Sequence, residues 1–353
     1  MNILLFTTTY LNLYSAIVDE LREQGHYVCV IEDKILSGDP KLKRNLYQRF
    51  KYKNDLNSWD ERVRDFWSIH KEKIDNDYEL FICLNGVSIN DEIIRVIKDK
   101  NPRLKDLILY AWDDLSFWNF NLIKTSFTRT FTFDLLDSRQ YPDWRLLPPF
   151  FVKPKARIED TKYNLFMIGT NHDRRFLFIN KIIKQLNRLN IDNNYIKLLK
   201  AKLGTNFQLI KSIFRFLSSS YRLNNDFNLG KMPNYTLESP IGIAEYNAIM
   251  QQSKFVLDDV RLGQSGLAPR FIWALANNKK IVTTNQYAEQ YTFVSEDSVV
   301  IINRNNPKLT KSFFVDQNSL TDDNFYSLEI SNWVRILIAE KPVPIYDRSM
   351  HDK

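Results

Sequence analysis

The chain has 353 residues, a formal net charge of +7, 44% hydrophobic and 26% charged residues. That length exceeds what one core usually serves, so two domains are expected, and the composition excludes a disordered or fibrous chain. Cys29 and Cys83 sit in apolar runs without CxxC spacing, and no run approaches the roughly 20 apolar residues of a membrane-spanning helix.

Residues 2–8 read as a buried strand, 13–24 as an amphipathic helix capped by Gly25, and 26–31 as a second strand ending at Glu32 and Asp33. Strand, helix, strand opens a doubly wound parallel sheet. The loop Thr7-Thr8-Thr9-Tyr10 holds no glycine, so the GxGxxG dinucleotide site is not expected there. The stretch 36–73 is polar, aromatic and basic and predicts surface helices. Residues 79–84 form a strand closing at Asn85-Gly86, 89–100 a helix, 107–112 a strand ending at Asp113-Asp114, and 130–133 a strand ending at Asp134. Pro148 and Pro149 lead into a linker at 153–157.

The rhythm then restarts, with a strand at 163–168, a polar loop from Gly169 to Arg175, and a helix at 176–189. Between 193 and 225 stand Lys197, Lys200, Lys202, Lys211, Arg215 and Arg222 with no acid, interleaved with leucine, isoleucine and phenylalanine. Residues 195–223 therefore read either as a basic amphipathic helix on an anionic membrane surface or as an ordinary helix with a solvated basic face. A helix at 243–252, strands at 255–257, 279–285 and 298–302, and a last helix at 328–339 complete the chain. The expected domains are 1–155 and 156–353, the last helix packing back on the first. The short apolar start at 1–6 is no signal peptide, and with the thiols it predicts a cytoplasmic protein, peripheral to the inner membrane at most.

The segment 254–285 carries the most chemistry. An apolar strand feeds the loop Gly263-Gln264-Ser265-Gly266, and Pro269-Arg270 opens a helix. A glycine loop at a helix N-terminus presents free N–H groups and a positive dipole end, which suits a diphosphate, and Arg270 adds a guanidinium. Gln264 and Ser265 supply hydrogen bonds. The plainer alternative is a tight loop with a surface arginine. In the loop from Gly169, Asp173 reads as a helix cap, Arg174 as a phosphate contact and His172 as a neighbour of the ligand. The alternative there is a capped helix with solvated arginines.

Asp113 lies just past a strand end, where open α/β sheets carry their sites, and suits a general base. Its alternative is capping a helix at 116–122. Asp134 is the reserve base. Asp258-Asp259 and Asp322-Asp323 read as caps or solvated pairs. Asp75-Asn76-Asp77 matches DxD but precedes its strand, and no Cys/His constellation is present, so neither a metal nor a cofactor is expected. Trp112, Phe117, Trp118, Phe120, Tyr141 and Trp144 read as core rather than as sugar platforms. The basic pI of about 9.1 raises nucleic acid as a partner, but no recognition motif accompanies it and none is expected.

Taken in order, several stretches resemble landmarks of a family of bacterial capsule and lipopolysaccharide biosynthesis glycosyltransferases of the GT-B fold. These are Tyr110-Ala111-Trp112-Asp113-Asp114, Phe131-Thr132-Phe133-Asp134, Leu146-Leu147-Pro148-Pro149-Phe150-Phe151, Phe166-Met167-Ile168-Gly169-Thr170-Asn171-His172-Asp173-Arg174, Gln264-Ser265-Gly266-Leu267 with Arg270, and Lys279-Lys280-Ile281-Val282-Thr283-Thr284-Asn285. The resemblance implies an α/β chain of two Rossmann-like domains facing a cleft. It implies metal-independent, hexosyl-type transfer from a nucleotide-sugar donor to a saccharide or lipid-linked acceptor. Gly169, His172, Arg174, Gly263, Gln264, Ser265, Gly266, Arg270 and Asn285 would serve the donor, and Asp113 the acceptor. The family has a Glu three residues after the arginine; this chain has Trp273. That departure implies altered donor recognition or a degenerate, non-catalytic subunit that binds saccharide or a partner.

Overall fold

The computed structural model describes residues 1–9, 13–33, 56–115, 124–153, 158, 160–171, 175–199, 235–237, 239, 241–314 and 323–350. The chain divides into two units, Met1–Val152 with Tyr326–Tyr346, and Lys153–Phe325 with Asp347–Lys353.

Unit 1 is built on six parallel strands: β1 (Asn2–Thr8), β2 (Tyr27–Asp33), β3 (Leu80–Leu84), β4 (Asp106–Ala111), β5 (Arg129–Thr132) and β6 (Trp144–Leu146), in the order β2-β1-β3-β4-β5-β6. Ile3 to Phe6 and Phe81 to Leu84 are fully buried, the continuous apolar run of strands covered on both faces. Helices α1 (Leu13–Glu23), α2 (Leu56–Ile69), α3 (Lys71–Ile74), α4 (Asp91–Lys100) and α5 (Leu135–Gln140) connect them. Asn90 caps α4 by accepting from the Ile93 N–H at 3.1 Å.

Helices α2 and α3 stand where surface helices were expected within 36–73, and α2 turns one face into the core. Val63, Phe66 and Trp67 are buried at helical spacing, and the Trp67 ring lies 4.9 Å from that of Phe6. Residues 34–55 lie outside the described part. Gly86 follows from the same packing, because a Cβ there would fall 2.3 Å from the Phe6 ring.

Unit 2 repeats the plan with β7 (Tyr163–Thr170), α6 (Arg175–Arg188), β8 (Tyr195–Leu199), β9 (Thr236–Leu237), α7 (Ile243–Gln251), β10 (Ser253–Asp258), α8 (Pro269–Ala276), β11 (Lys280–Thr283) and β12 (Val299–Ile301). The parallel order is β12-β11-β10-β7-β8-β9, so the winding reverses between β7 and β10. Leu165, Met167, Ile179, Ile182, Phe255, Leu257 and Val282 form its core. Of the basic stretch 195–223, only 195–199 lies among the described residues. The final helix α9 (Ile330–Leu337) belongs to unit 1: Ile330 N–H donates to Phe151 O at 2.9 Å, and the buried Trp333 donates Nε1–H to Pro148 O at 2.9 Å.

Candidate functional site

In a doubly wound sheet, ligands sit beyond the carboxyl ends of the strands where the order reverses. In unit 2 that point lies between β7 and β10, and the residues there are charged. Asp258 ends β10 and Asp259 follows it; both are buried, at 0% and 1% exposure. The expectation of caps or solvated pairs is therefore corrected: each carboxylate holds guanidinium groups.

Arg270, in the first turn of α8, donates Nε–H and Nη2–H to Asp258 Oδ1 at 3.1 and 3.0 Å, and Nη1–H to Ile168 O at 2.7 Å. Arg175, the first residue of α6, donates Nε–H to Asp259 Oδ2 at 2.8 Å, with further bonds to Thr170 O and Asp259 O, both 2.7 Å. Arg304, just past β12, donates Nε–H to Asp259 Oδ1 at 2.7 Å and Nη2–H to Oδ2 at 3.1 Å. Thr283 and Thr284 at the end of β11 donate their hydroxyls to Asp258 Oδ2 and Asp259 Oδ1. Among the described residues, three guanidinium groups thus meet two carboxylates, a surplus of one positive charge.

Burial pushes the Asp259 carboxyl up, but Arg304 and Arg175 outweigh it and hold the group below the usual carboxylate range. Burial, together with the neighbouring cation of Arg270, draws the Arg175 guanidinium down. Burial acts the same way on Arg270, but Asp258, with Tyr246 and Asp259, reverses it and raises the group. Gly169 leaves room for this arrangement, since a Cβ would lie 3.0 Å from Arg175 Nη1 and 3.3 Å from Arg270 Nη1.

The loop before α8 has the geometry its glycines suggest in one place: Gly263 takes φ +86°, the left-handed region. Gln264 Nε2–H donates to Gly266 O at 2.9 Å. Ser265 is fully buried, and its carbonyl accepts from Asn285 Nδ2 at 3.1 Å and the Tyr291 hydroxyl at 3.2 Å. Asn285 also reaches Gly266 O at 3.2 Å, so it fixes the loop from β11's side. The sequence-derived residues Gly169, Gly263, Gln264, Ser265, Gly266, Arg270 and Asn285 all belong to the end of one sheet. His172, Asp173 and Arg174 lie outside the described residues. Trp273, one turn after Arg270, is half-buried, with its ring 5.6 Å from Tyr246 and T-shaped to it.

In unit 1 the order reverses between β1 and β3. Asn85 ends β3 with φ +48° and accepts from the Trp112 N–H at 3.2 Å, while its amide donates to Asp113 Oδ2 at 2.8 Å. This clamp places the Asp113 carboxylate, half-buried, just past β4. Asp33 at the end of β2 accepts from the Val87 and Ser88 N–H groups at 2.9 and 2.8 Å.

Asp134 is buried and caps α5, accepting from the Leu136 and Asp137 N–H groups at 3.0 and 3.2 Å, which gives it a structural task. Asp137, absent from the sequence reading, accepts from the Leu115 N–H at 2.7 Å. Burial pushes its carboxyl up to about 6, against that bond, and Asp134 and Asp114 add to the rise. Trp144 is core, at 1% exposure, and Tyr141 packs against it in the same cluster. Phe117, Trp118, Phe120 and the helix expected at 116–122 lie outside the described residues. Among those described, no group of three or more His, Cys, Asp or Glu is arranged to hold a metal ion, and no helix is long and apolar enough to cross a membrane.

No protein-family model and no curated protein matches the chain in sequence. Solved structures resemble it. A UDP-forming α,α-trehalose-phosphate synthase from Burkholderia xenovorans superposes with a TM-score of 0.50 at 11% identity, covering 99% of this chain and 93% of that one. A trehalose-6-phosphate synthase, OtsA, gives 0.48 at 10% identity, covering 98% and 100%. A lipopolysaccharide outer core galactosyltransferase, WaaB, gives 0.47 at 10% identity, covering 96% and 99%. The likeness to the first is one of fold: two parallel six-stranded, Rossmann-like sheets in one chain, the GT-B architecture.

Proposed function

We propose that this chain is a glycosyltransferase that moves a sugar from a nucleotide-sugar donor to a saccharide or lipid-linked acceptor in bacterial surface polysaccharide synthesis. The observation that carries the reading is the buried arginine–aspartate cluster, with its surplus positive charge, at the strand-order reversal of unit 2. A buried surplus cation is costly alone and favours an anionic ligand. The donor's diphosphate is such a ligand. It is held beside the 263–266 loop and the N-terminus of α8, with Gly169 giving close approach and His172 and Arg174 assisting.

In the reaction, an acceptor hydroxyl oxygen attacks the anomeric carbon of the donor sugar. Asp113 takes the hydroxyl proton, and the bond from the anomeric carbon to the diphosphate oxygen breaks, its electron pair leaving with the nucleoside diphosphate. Fixed guanidinium and N–H groups stabilise that departing charge, the part a metal plays elsewhere, so the transfer is metal-independent and needs no cofactor. Arg270 contributes as a charge locked in place by Asp258. The resemblance to capsule and lipopolysaccharide enzymes supports the pathway, and the basic stretch 195–223 supports a peripheral stay on an anionic inner-membrane surface from the cytoplasm.

A second reading is a non-catalytic saccharide- or partner-binding subunit, favoured by Trp273, which packs on Tyr246 where the resembled family has a carboxylate. Donor turnover separates the two. Release of nucleoside diphosphate from a panel of nucleotide-sugars, assayed with hydroxyl acceptors, is expected for the wild type. Asp113→Asn should lower kcat by about 10²- to 10⁴-fold at unchanged donor affinity. Donor binding with no turnover on any acceptor would favour the second reading.

A further inference from the structure

Not every guanidinium in the cluster has the same work. Arg270 and Asp258 form a pair, leaving the triad of Arg175, Arg304 and Asp259, in which two cations share one carboxylate. Among the described residues, the surplus charge therefore lies in the triad. Within it, each of the three Arg175 nitrogens donates to a protein oxygen, two of these being backbone carbonyls.

Arg304 differs. Its Nε–H and one Nη2–H go to Asp259, and among the described residues Nη1 donates to no protein acceptor. Its side chain is also the most exposed of the three, at 14% against 10% and 11%. Arg304 stands at the carboxyl end of β12, at the same end of the sheet as the residues that follow β7 and β10, and the fork on Asp259 fixes its plane.

We propose that Arg304 presents the cluster's surplus charge to a phosphate group of the ligand, with Asp259 as the positioning residue that aims it. The inference deepens, and rests on, the nucleotide-donor reading. It adds a contact from the β12 end of the sheet, distant in sequence from the glycine loop, and a preference for ligands carrying a diphosphate.

The test is titration calorimetry of the full chain with inorganic pyrophosphate, with UDP, GDP, ADP and dTDP, and with the nucleoside of whichever diphosphate binds tightest. Charge-assisted hydrogen bonds to phosphate are strong. Arg304→Gln should therefore weaken diphosphate and pyrophosphate binding about tenfold to a hundredfold while leaving nucleoside affinity as in the wild type. Arg304→Lys should recover part of the loss. Arg304→Gln leaves Asp259 paired with Arg175, so the variant keeps a balanced pair in the core.

If the wild type binds and Arg304→Gln binds diphosphate equally well, the assignment to Arg304 is wrong and the donor reading stands. An equal loss for the nucleoside and the diphosphate would mark Arg304 as merely structural and overturn the inference. If the wild type binds none of the probes, the donor reading fails and the inference fails with it.

Discussion

Replacing Asp259 by Asn removes the carboxylate that Arg175 and Arg304 share. Its two oxygens accept from Arg175 Nε, Arg304 Nε, Arg304 Nη2 and Thr284 Oγ1 at 2.7 to 3.2 Å, and its side chain is wholly buried. The variant leaves three cations facing one carboxylate. Breaking a buried pair from one side costs about 3–5 kcal/mol, because the partners remain charged and unpaired.

The pH dependence has a definite sign. The folded-state value of Asp259 lies below the ordinary 3.8, so its contribution is fully present above that value and is lost as pH falls through the lower, folded one. The gap between wild type and variant should be widest near neutrality and should close in strong acid. Unit 2 holds Trp273 as its one tryptophan among seven in the chain. Urea unfolding followed by the ¹⁹F signal of Trp273 in 5-fluorotryptophan-labelled protein therefore reports this unit alone. A loss under about 1 kcal/mol at neutral pH, or a gap that persists unchanged at about pH 3, would refute the reasoning.

Three further outcomes follow from the packing and the charges. Gly86→Ala should destabilise unit 1 by about 1–3 kcal/mol or more in urea, because the new Cβ meets the Phe6 ring in the core, and a neutral result would contradict that packing. Trp333→Ala should cost about 3–5 kcal/mol and move unit 1 transitions while leaving the Trp273 signal in place, since the ring packs on Tyr110 and Phe150 at 5.1 and 5.3 Å. Asp137→Asn keeps an acceptor for Leu115 and removes a carboxyl raised to about 6. A raised carboxyl favours the folded state in acid and loses that contribution as pH rises through 6, so the variant should melt higher than wild type at about pH 8 and no higher at about pH 4.

The sheets were legible because buried parallel strands read as unbroken apolar runs: Ile3 to Phe6, Phe81 to Leu84 and Phe255 to Leu257 are all fully buried. The strand, glycine loop and helix from Ser253 to Ala276 also stand where sequence placed them. Strands β6 and β9, of three and two residues, are too short to carry a period. Helix α2 read as a surface helix, and its inward face went unnamed because its polar residues outnumber its apolar ones. The spacing of Val63, Phe66 and Trp67 on one face was the signal.

The charge cluster was hidden for a different reason. Arg175 and Arg304 lie 84 and 45 residues from Asp259, and local pattern cannot pair them. A clue existed in Asp258-Asp259 itself. Two carboxylates closing a fully apolar strand must be buried with it, and buried carboxylates need cations. The same reasoning moves attention from Arg174 to its neighbour Arg175, which enters the cluster from the first turn of α6.

The central claim is that unit 2 holds a nucleoside diphosphate without a metal. Titration calorimetry of UDP, GDP, ADP, dTDP and CMP, each in EDTA and again with Mg²⁺, tests it most directly. One nucleoside diphosphate should bind, with the same affinity in EDTA as in Mg²⁺, and should raise the melting temperature by mass action. Binding that requires Mg²⁺ would contradict the metal-free site, and no binding of any nucleotide under either condition would contradict the donor site itself.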